Sequence, residues 1–183
     1  MGDEIVRWKV EPLERSRRGL DERLLMAAPG LRRLVARVLR RPLGSPLRRA
    51  LITRVLQVGF AAGNRGDYES SSSFIHRDFE LHMRPDDRER AGDLESLYRG
   101  PDGYVRAVRV WKESFAEHRW ELREIFDPGG PRFGARAEMV GRGLESGVEV
   151  RQQEFHVWEV EDGTARRQWS LATEDAMLRL LSQ

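Results

Sequence analysis

The sequence contains no cysteine, which excludes disulfides, thiolate metal sites and cysteine nucleophiles. It is nearly as poor in lysine: only Lys9 and Lys112 occur, and all other basic residues are arginine. This resembles the codon bias of a high-GC bacterial genome, and it lifts the isoelectric point to about 9.4 without implying a nucleic-acid partner. No stretch approaches the roughly 20 apolar residues of a membrane-spanning helix. Met1-Gly-Asp-Glu4 begins without the apolar run of a secretory signal, so a cytoplasmic location is expected. There is no Gly-x-Ser-x-Gly elbow. Gly141-Arg-Gly-Leu-Glu-Ser-Gly147 joins two expected strands with no helix after it, and reads as a turn rather than a phosphate loop.

What is present is a chain of 183 residues, 39% hydrophobic and 34% charged, long enough for one core and an appendage. Charge divides it. Residues 1–49 carry 13 basic and six acidic side chains, whereas the remainder is net acidic, so the folded part is not expected to bind nucleic acid. Leu31, Leu34, Val35, Val38 and Leu39 recur at helical spacing, with Arg32, Arg33, Arg37, Arg40 and Arg41 around the rest of the circumference. Helix breakers flank this segment at Pro29-Gly30 and Pro42–Pro46. Residues 1–44 therefore read as a basic extension with a short amphipathic helix. That helix either folds its apolar stripe onto the domain or a dimer mate or stays partly disordered, or it contacts an anionic membrane surface, an RNA or an acidic partner.

Residues 45–183 read as an α+β domain. Leu47, Leu51, Val55, Val58 and Ala62 share a helical face that ends at Gly63-Asn64, and Asp67 can cap a second short helix. Phe79, Leu81 and Met83 alternate with polar residues as a strand, and a polar loop runs on to Tyr98. Tyr104, Val108, Trp111 and Phe115 mark a sheet-covering helix opened by Pro101. From Trp120 to Leu171 the chain alternates and turns as an antiparallel meander, with Asp162-Gly163 as a tight hairpin, before a closing helix at Glu174–Leu181. Apolar parity changes between Val150 and Phe155, which predicts a β-bulge or a sharp bend in Arg151–Glu154 and a curved sheet.

Four segments carry a family resemblance: Phe60-Ala-Ala-Gly-Asn-Arg-Gly-Asp67, Arg77-Asp-Phe-Glu-Leu81, Tyr98-Arg-Gly-Pro-Asp-Gly103 leading to Trp111, and Ser146-Gly-Val148 through His156-Val-Trp158 to Asp162-Gly163. In order and spacing they resemble the SnoaL-like branch of the nuclear-transport-factor-two-like superfamily. The resemblance implies a cone-shaped, cystatin-like α+β roll around a pocket, and a homodimer formed through an exposed apolar sheet face. Relatives include polyketide cyclases, ketosteroid isomerase, epoxide-hydrolase-like enzymes and non-catalytic modules, so fold leaves function open. Alignment on the motifs places the isomerase's three catalytic roles at Gly59, Met83 and Phe155, none of which can perform them. The epoxide-hydrolase set finds only a partial match in Arg136-Ala-Glu138, with Gln168-Trp169 where the later acid belongs.

By parity with Phe155, the expected pocket lining is Met83, Gln153, Phe155, Val157, Gln168 and Ser170, apolar with a few neutral hydrogen-bonding groups and suited to a hydrophobic, oxygenated molecule. The competing reading fills the cone with Trp120, Trp158 and Trp169. The ionisable candidates are two Glu-x-His pairs, Glu80 with His82 and Glu154 with His156, which the same parity turns away from the pocket. Brought together they could hold a divalent ion, but no metal or cofactor is expected. Two function classes follow. One is a small-molecule-binding protein acting as isomerase, cyclase or hydrolase. The other is a non-catalytic dimerisation or interaction module with a vestigial pocket and a recruiting basic arm.

Overall fold

Long runs of alternating apolar and polar residues between Phe115 and Leu171 form the strands that set the architecture. The structure is a computed structural model and describes residues 4–27, 29–85, 94–144 and 146–183. In chain order the described elements are β1 (Val6–Lys9), α1 (Leu20–Ala27), α2 (Pro29–Leu39), α3 (Pro46–Asn64), α4 (Tyr68–Ser72), β2 (Ile75–His82) and β3 (Leu97–Arg99). They continue with α5 (Gly100–Glu113), β4 (Phe115–Asp127), β5 (Arg132–Gly143), β6 (Glu149–Glu161), β7 (Thr164–Leu171) and α6 (Glu174–Leu181). The strands make a seven-stranded sheet in the order β1-β4-β5-β6-β7-β2-β3, antiparallel throughout except for β2 beside β7. This is the α+β roll expected from the sequence. Most of the polar loop expected before Tyr98 lies outside the described residues.

The local rules are visible at the element ends. Pro46 opens α3, the Asp67 side chain accepts from the Ser70 N–H at the start of α4, and Thr173 does the same for Ala176 at α6. Asp162 and Gly163 both take positive φ, which lets a two-residue turn join β6 to β7. The Asn64 side chain accepts from the Trp120 N–H and donates to its carbonyl, both at 2.8 Å, and so pins the end of α3 to β4.

The bulge expected in Arg151–Glu154 is absent. β5 and β6 pair without a break from Arg132–Glu159 to Arg142–Glu149, and the register shifts fall instead in β4, between β6 and β7 at Glu159/Val160, and between β2 and β7. The parity change has another cause. Val148 and Val150 are exposed at the hairpin end, whereas Phe155 and Val157 are buried on the convex face under Met177 and Leu181 of α6.

Helices α3 and α5 fill the concave side. Ile52 and Leu56 pack with Leu122, Ile125, Phe133 and Ala135, and Ala107 and Trp111 pack with Phe79, Leu81 and Met139. The N-terminal extension contributes to the first of these groups through Trp8, Val35 and Leu39. Its β1 extends the sheet beside β4, and its amphipathic helix lays Val35, Val38 and Leu39 onto the cone while leaving Leu34 exposed. A polar clasp holds α1: the fully buried Glu22 accepts from the Gly19 N–H, Ser70 Oγ and Arg65, while Arg18 grips Asp67 with two bonds of 2.7 Å.

Candidate functional site

Curvature leaves a cavity of about 180 Å³ between the concave sheet face and the helices. Its walls come from α3 (Ile52, Leu56, Gly59, Phe60), α5 (Tyr104, Ala107, Val108, Trp111), the sheet (Leu81, Met83, Trp120, Glu154, His156, Trp158, Gln168, Ser170) and α2 (Val35, Leu39). The volume is somewhat larger than the roughly 150 Å³ that holds a benzene ring in an apolar protein interior. Trp120 and Trp158 line this space without filling it, and Trp169 faces the convex side against α6 and Arg132.

Among the expected lining residues, Met83, Gln168 and Ser170 stand on the wall. Gln153, Phe155 and Val157 do not: Gln153 is exposed, and the other two are buried beneath α6. The inversion has a simple origin. An apolar alternation marks a covered face, and here the convex face is covered by the C-terminal helix, so parity with Phe155 leads outward. Gly59 and Met83 keep their aligned places on the cavity wall, but at β6 the wall is built by Glu154 and His156.

The two Glu-x-His pairs therefore separate. Glu80 and His82 lie on the convex side, where Glu80 meets Arg99 and Arg167 and His82 stacks on Trp169 at 5.6 Å between ring centroids. They cannot share an ion with Glu154 and His156, which face the cavity. Arg136 and Glu138 also point outward, into ion pairs with Glu124 at 3.1 Å and Arg123 at 2.9 Å. These belong to a charged lattice on the convex face that includes Arg119–Glu121 and Arg132–Glu159. The convex face is thus partly covered by α6 and partly charged, unlike the exposed apolar surface expected for a dimer contact.

Glu154 and His156 are the ionisable pair of the cavity, 4% and 9% exposed. His156 Nε2 lies 3.3 Å from Glu154 Oε2, and Trp120 Nε1 donates to the same oxygen at 2.9 Å. Burial pushes the Glu154 carboxyl up, but His156, the positive charge of Arg84 and the Trp120 N–H outweigh it and hold the group below the usual carboxylate range. Nε2 of His156 is the nitrogen turned to the Glu154 carboxylate, which leaves Nδ1 as the ring's second nitrogen. Nδ1 is buried and has no hydrogen-bond partner among the described residues. Phe60 and Trp158 flank the ring at 6.3 and 5.5 Å between centroids. A carboxylate-oriented imidazole with one free nitrogen is the arrangement of a general base that returns its proton as a general acid.

Two further features escaped sequence reading. The indole N–H of Trp120 holds the dyad, and α2 forms part of the wall. The alternation along β4 shows which side Trp120 takes only once the bulge at Leu122/Glu124 is known. For α2 the signal was the apolar stripe itself, which did not say what it covers.

No family model matches the chain, and no curated protein matches it in sequence. Solved structures do resemble it. TerC co-crystallised with polyporic acid has a TM-score of 0.57 at 20% identity, over 71% of this chain and 97% of its own. An NTF2-like protein of unknown function from Burkholderia pseudomallei K96243 has 0.57 at 21%, over 71% and 96%. IdmH from Streptomyces antibioticus, described as a candidate polyketide cyclase, has 0.55 at 18%, over 70% and 95%. Each neighbour is matched almost completely, while nearly a third of this chain lies outside the match. The chain thus shares the α+β-roll fold of these NTF2-like structures.

Proposed function

We propose that this protein takes a hydrophobic, oxygen-bearing small molecule into the cone and moves a proton on it through His156. The observation that carries this reading is the buried Glu154–His156 contact in an otherwise largely apolar cavity. His156 Nδ1 removes a proton from a carbon beside a ligand carbonyl, and the bond electrons pass to that carbonyl oxygen. Glu154 balances the imidazolium, which then returns the proton to another atom of the same ligand. The outcome is isomerisation, or cyclisation when the enolate attacks a second carbonyl. Gln168 and Ser170 stand on the same wall as candidates to bind ligand oxygens. The neighbours TerC, seen with polyporic acid, and IdmH, described as a candidate cyclase, are consistent with a ligand of this class.

The test pairs binding with chemistry. Titration with 1-anilinonaphthalene-8-sulfonate is expected to show a site that Gly59→Leu closes, because a side chain at Gly59 projects into free space on the cavity wall. Solvent deuterium uptake by the lipophilic ketone 2-tetralone is expected to be catalysed by the wild type, and roughly 10²- to 10⁴-fold less by His156→Ala, with dye binding retained. Dye binding with equal deuterium uptake in the two proteins would leave a container without chemistry.

A further inference from the structure

Helix α2 has two faces, and only one is used by the cone. Val35, Val38 and Leu39 are buried, and Arg32 places its backbone carbonyl against the β6–β7 turn, where a Cβ on Gly163 would come within 2.0 Å of it. The opposite face carries Arg33 and Arg37, and Arg40 and Arg41 follow in the turn just past the helix; all four are exposed, and none of them forms an ion pair among the described residues. The acids of neighbouring α1 are already engaged: Asp21 by Arg15 and Arg54, Glu22 by Arg65. These arginines, without ion pairs among the described residues, contrast with the convex sheet face, where arginines are matched by glutamates. Leucines accompany them. Leu34 on α2 is 49% exposed, and Leu20 and Leu24, one turn apart on α1, are 78% and 60% exposed.

We propose that the outer surface of α1 and α2 docks this protein on an anionic lipid surface. Clustered arginines alone would suit any polyanion. The leucines favour lipid, because a nucleic acid backbone offers them nothing, whereas a bilayer interface receives apolar side chains beside basic ones. The apolar stripe that would bury a free amphipathic helix in lipid is occupied by the cone, so the contact is shallow, made by charge and by the three leucines. Because α2 also walls the cavity, docking sets that wall beside the lipid, the phase in which a hydrophobic ligand concentrates. This surface goes beyond the proton-transfer reading and stands without it.

The experiment uses the full-length protein in flotation with vesicles of phosphatidylcholine alone, or with a minority of phosphatidylglycerol, at low and physiological ionic strength. Binding to the phosphatidylglycerol vesicles only is expected, weakening with salt. Each arginine near an anionic surface contributes roughly fivefold in partitioning. A variant combining Arg33→Gln, Arg37→Gln, Arg40→Gln and Arg41→Gln is therefore expected to bind at least about a hundredfold less, with an unchanged thermal midpoint. Leu24→Ser with Leu34→Ser is expected to lower partitioning about tenfold or more. His156→Ala should bind vesicles like the wild type, which separates this proposal from the catalytic one. No partitioning, equal partitioning onto neutral vesicles, an undiminished leucine variant, or preference for a competing duplex RNA would each overturn it.

Discussion

His118 stands edge-on to Trp120, 3.9 Å between ring centroids, with Phe115 stacked on its other side and neither ring nitrogen hydrogen-bonded among the described residues. Burial pulls its imidazole down to about 4, against the opposing charge of Glu154. The unfolded chain takes up this proton near pH 6.5, the folded chain only near 4. Stability is therefore complete above the unfolded value and is lost as pH falls through that interval. At about 1.4 kcal/mol per unit the loss is on the order of 3 kcal/mol, and His118→Phe should flatten this slope in denaturant titrations at pH 4.5 and 7.5. Gly59 offers the opposite kind of change. It lies within α3 on the cavity wall, so Gly59→Leu should raise stability by up to about 1 kcal/mol through helix propensity while abolishing dye binding. At this scale the sequence named Glu154 and His156 as candidates and turned them the wrong way, because the apolar alternation it followed belongs to the face under α6.

At the scale of elements, two contacts fix α2 over the cone. Arg48, fully buried at the start of α3, grips Asp127 of β4 with two bonds of 2.7 Å and donates to the carbonyls of Leu39 and Gly130. Removing one partner strands the other charge, so Arg48→Ala or Asp127→Ala should each cost about 3–5 kcal/mol. The paired replacement Arg48→Met with Asp127→Leu should cost less than either, as read by chemical denaturation. The second contact is the β6–β7 turn. Gly163 has φ of 81°, and its Cα approaches the Arg32 carbonyl so closely that Gly163→Ala must push α2 away. A lowered thermal midpoint and faster amide exchange within α2 are expected, with at least about 1–2 kcal/mol lost from the left-handed backbone alone. Helices α3, α5 and α6 were legible because each has a long apolar stripe and a proline or capping residue at its start. β1 was not. It is four residues long, and its partner β4 lies more than a hundred residues away.

For the whole molecule, the N-terminal extension is a structural part of the cone. Trp8, Val35 and Leu39 pack with Ile52, Leu56, Leu122 and Ile125. Each large apolar side chain contributes about 1.5–3 kcal/mol when buried, so deletion of residues 1–44 removes a sum comparable to the stability of an ordinary domain. The truncated protein is expected to scatter light and bind hydrophobic dye non-saturably, whereas the full chain stays dispersed. No helix among the described residues is long and apolar enough to cross a membrane. By itself the sequence determined the α+β class, most of the order of elements, and the basic amphipathic helix, because periodicity, caps and turn residues act over a few neighbouring positions. Tertiary structure alone decided which side of β6 faces the cavity, which of two Glu-x-His pairs lies inside, and that α2 closes the cone. Those outcomes depend on which elements cover which face, and residues distant in the chain set that together.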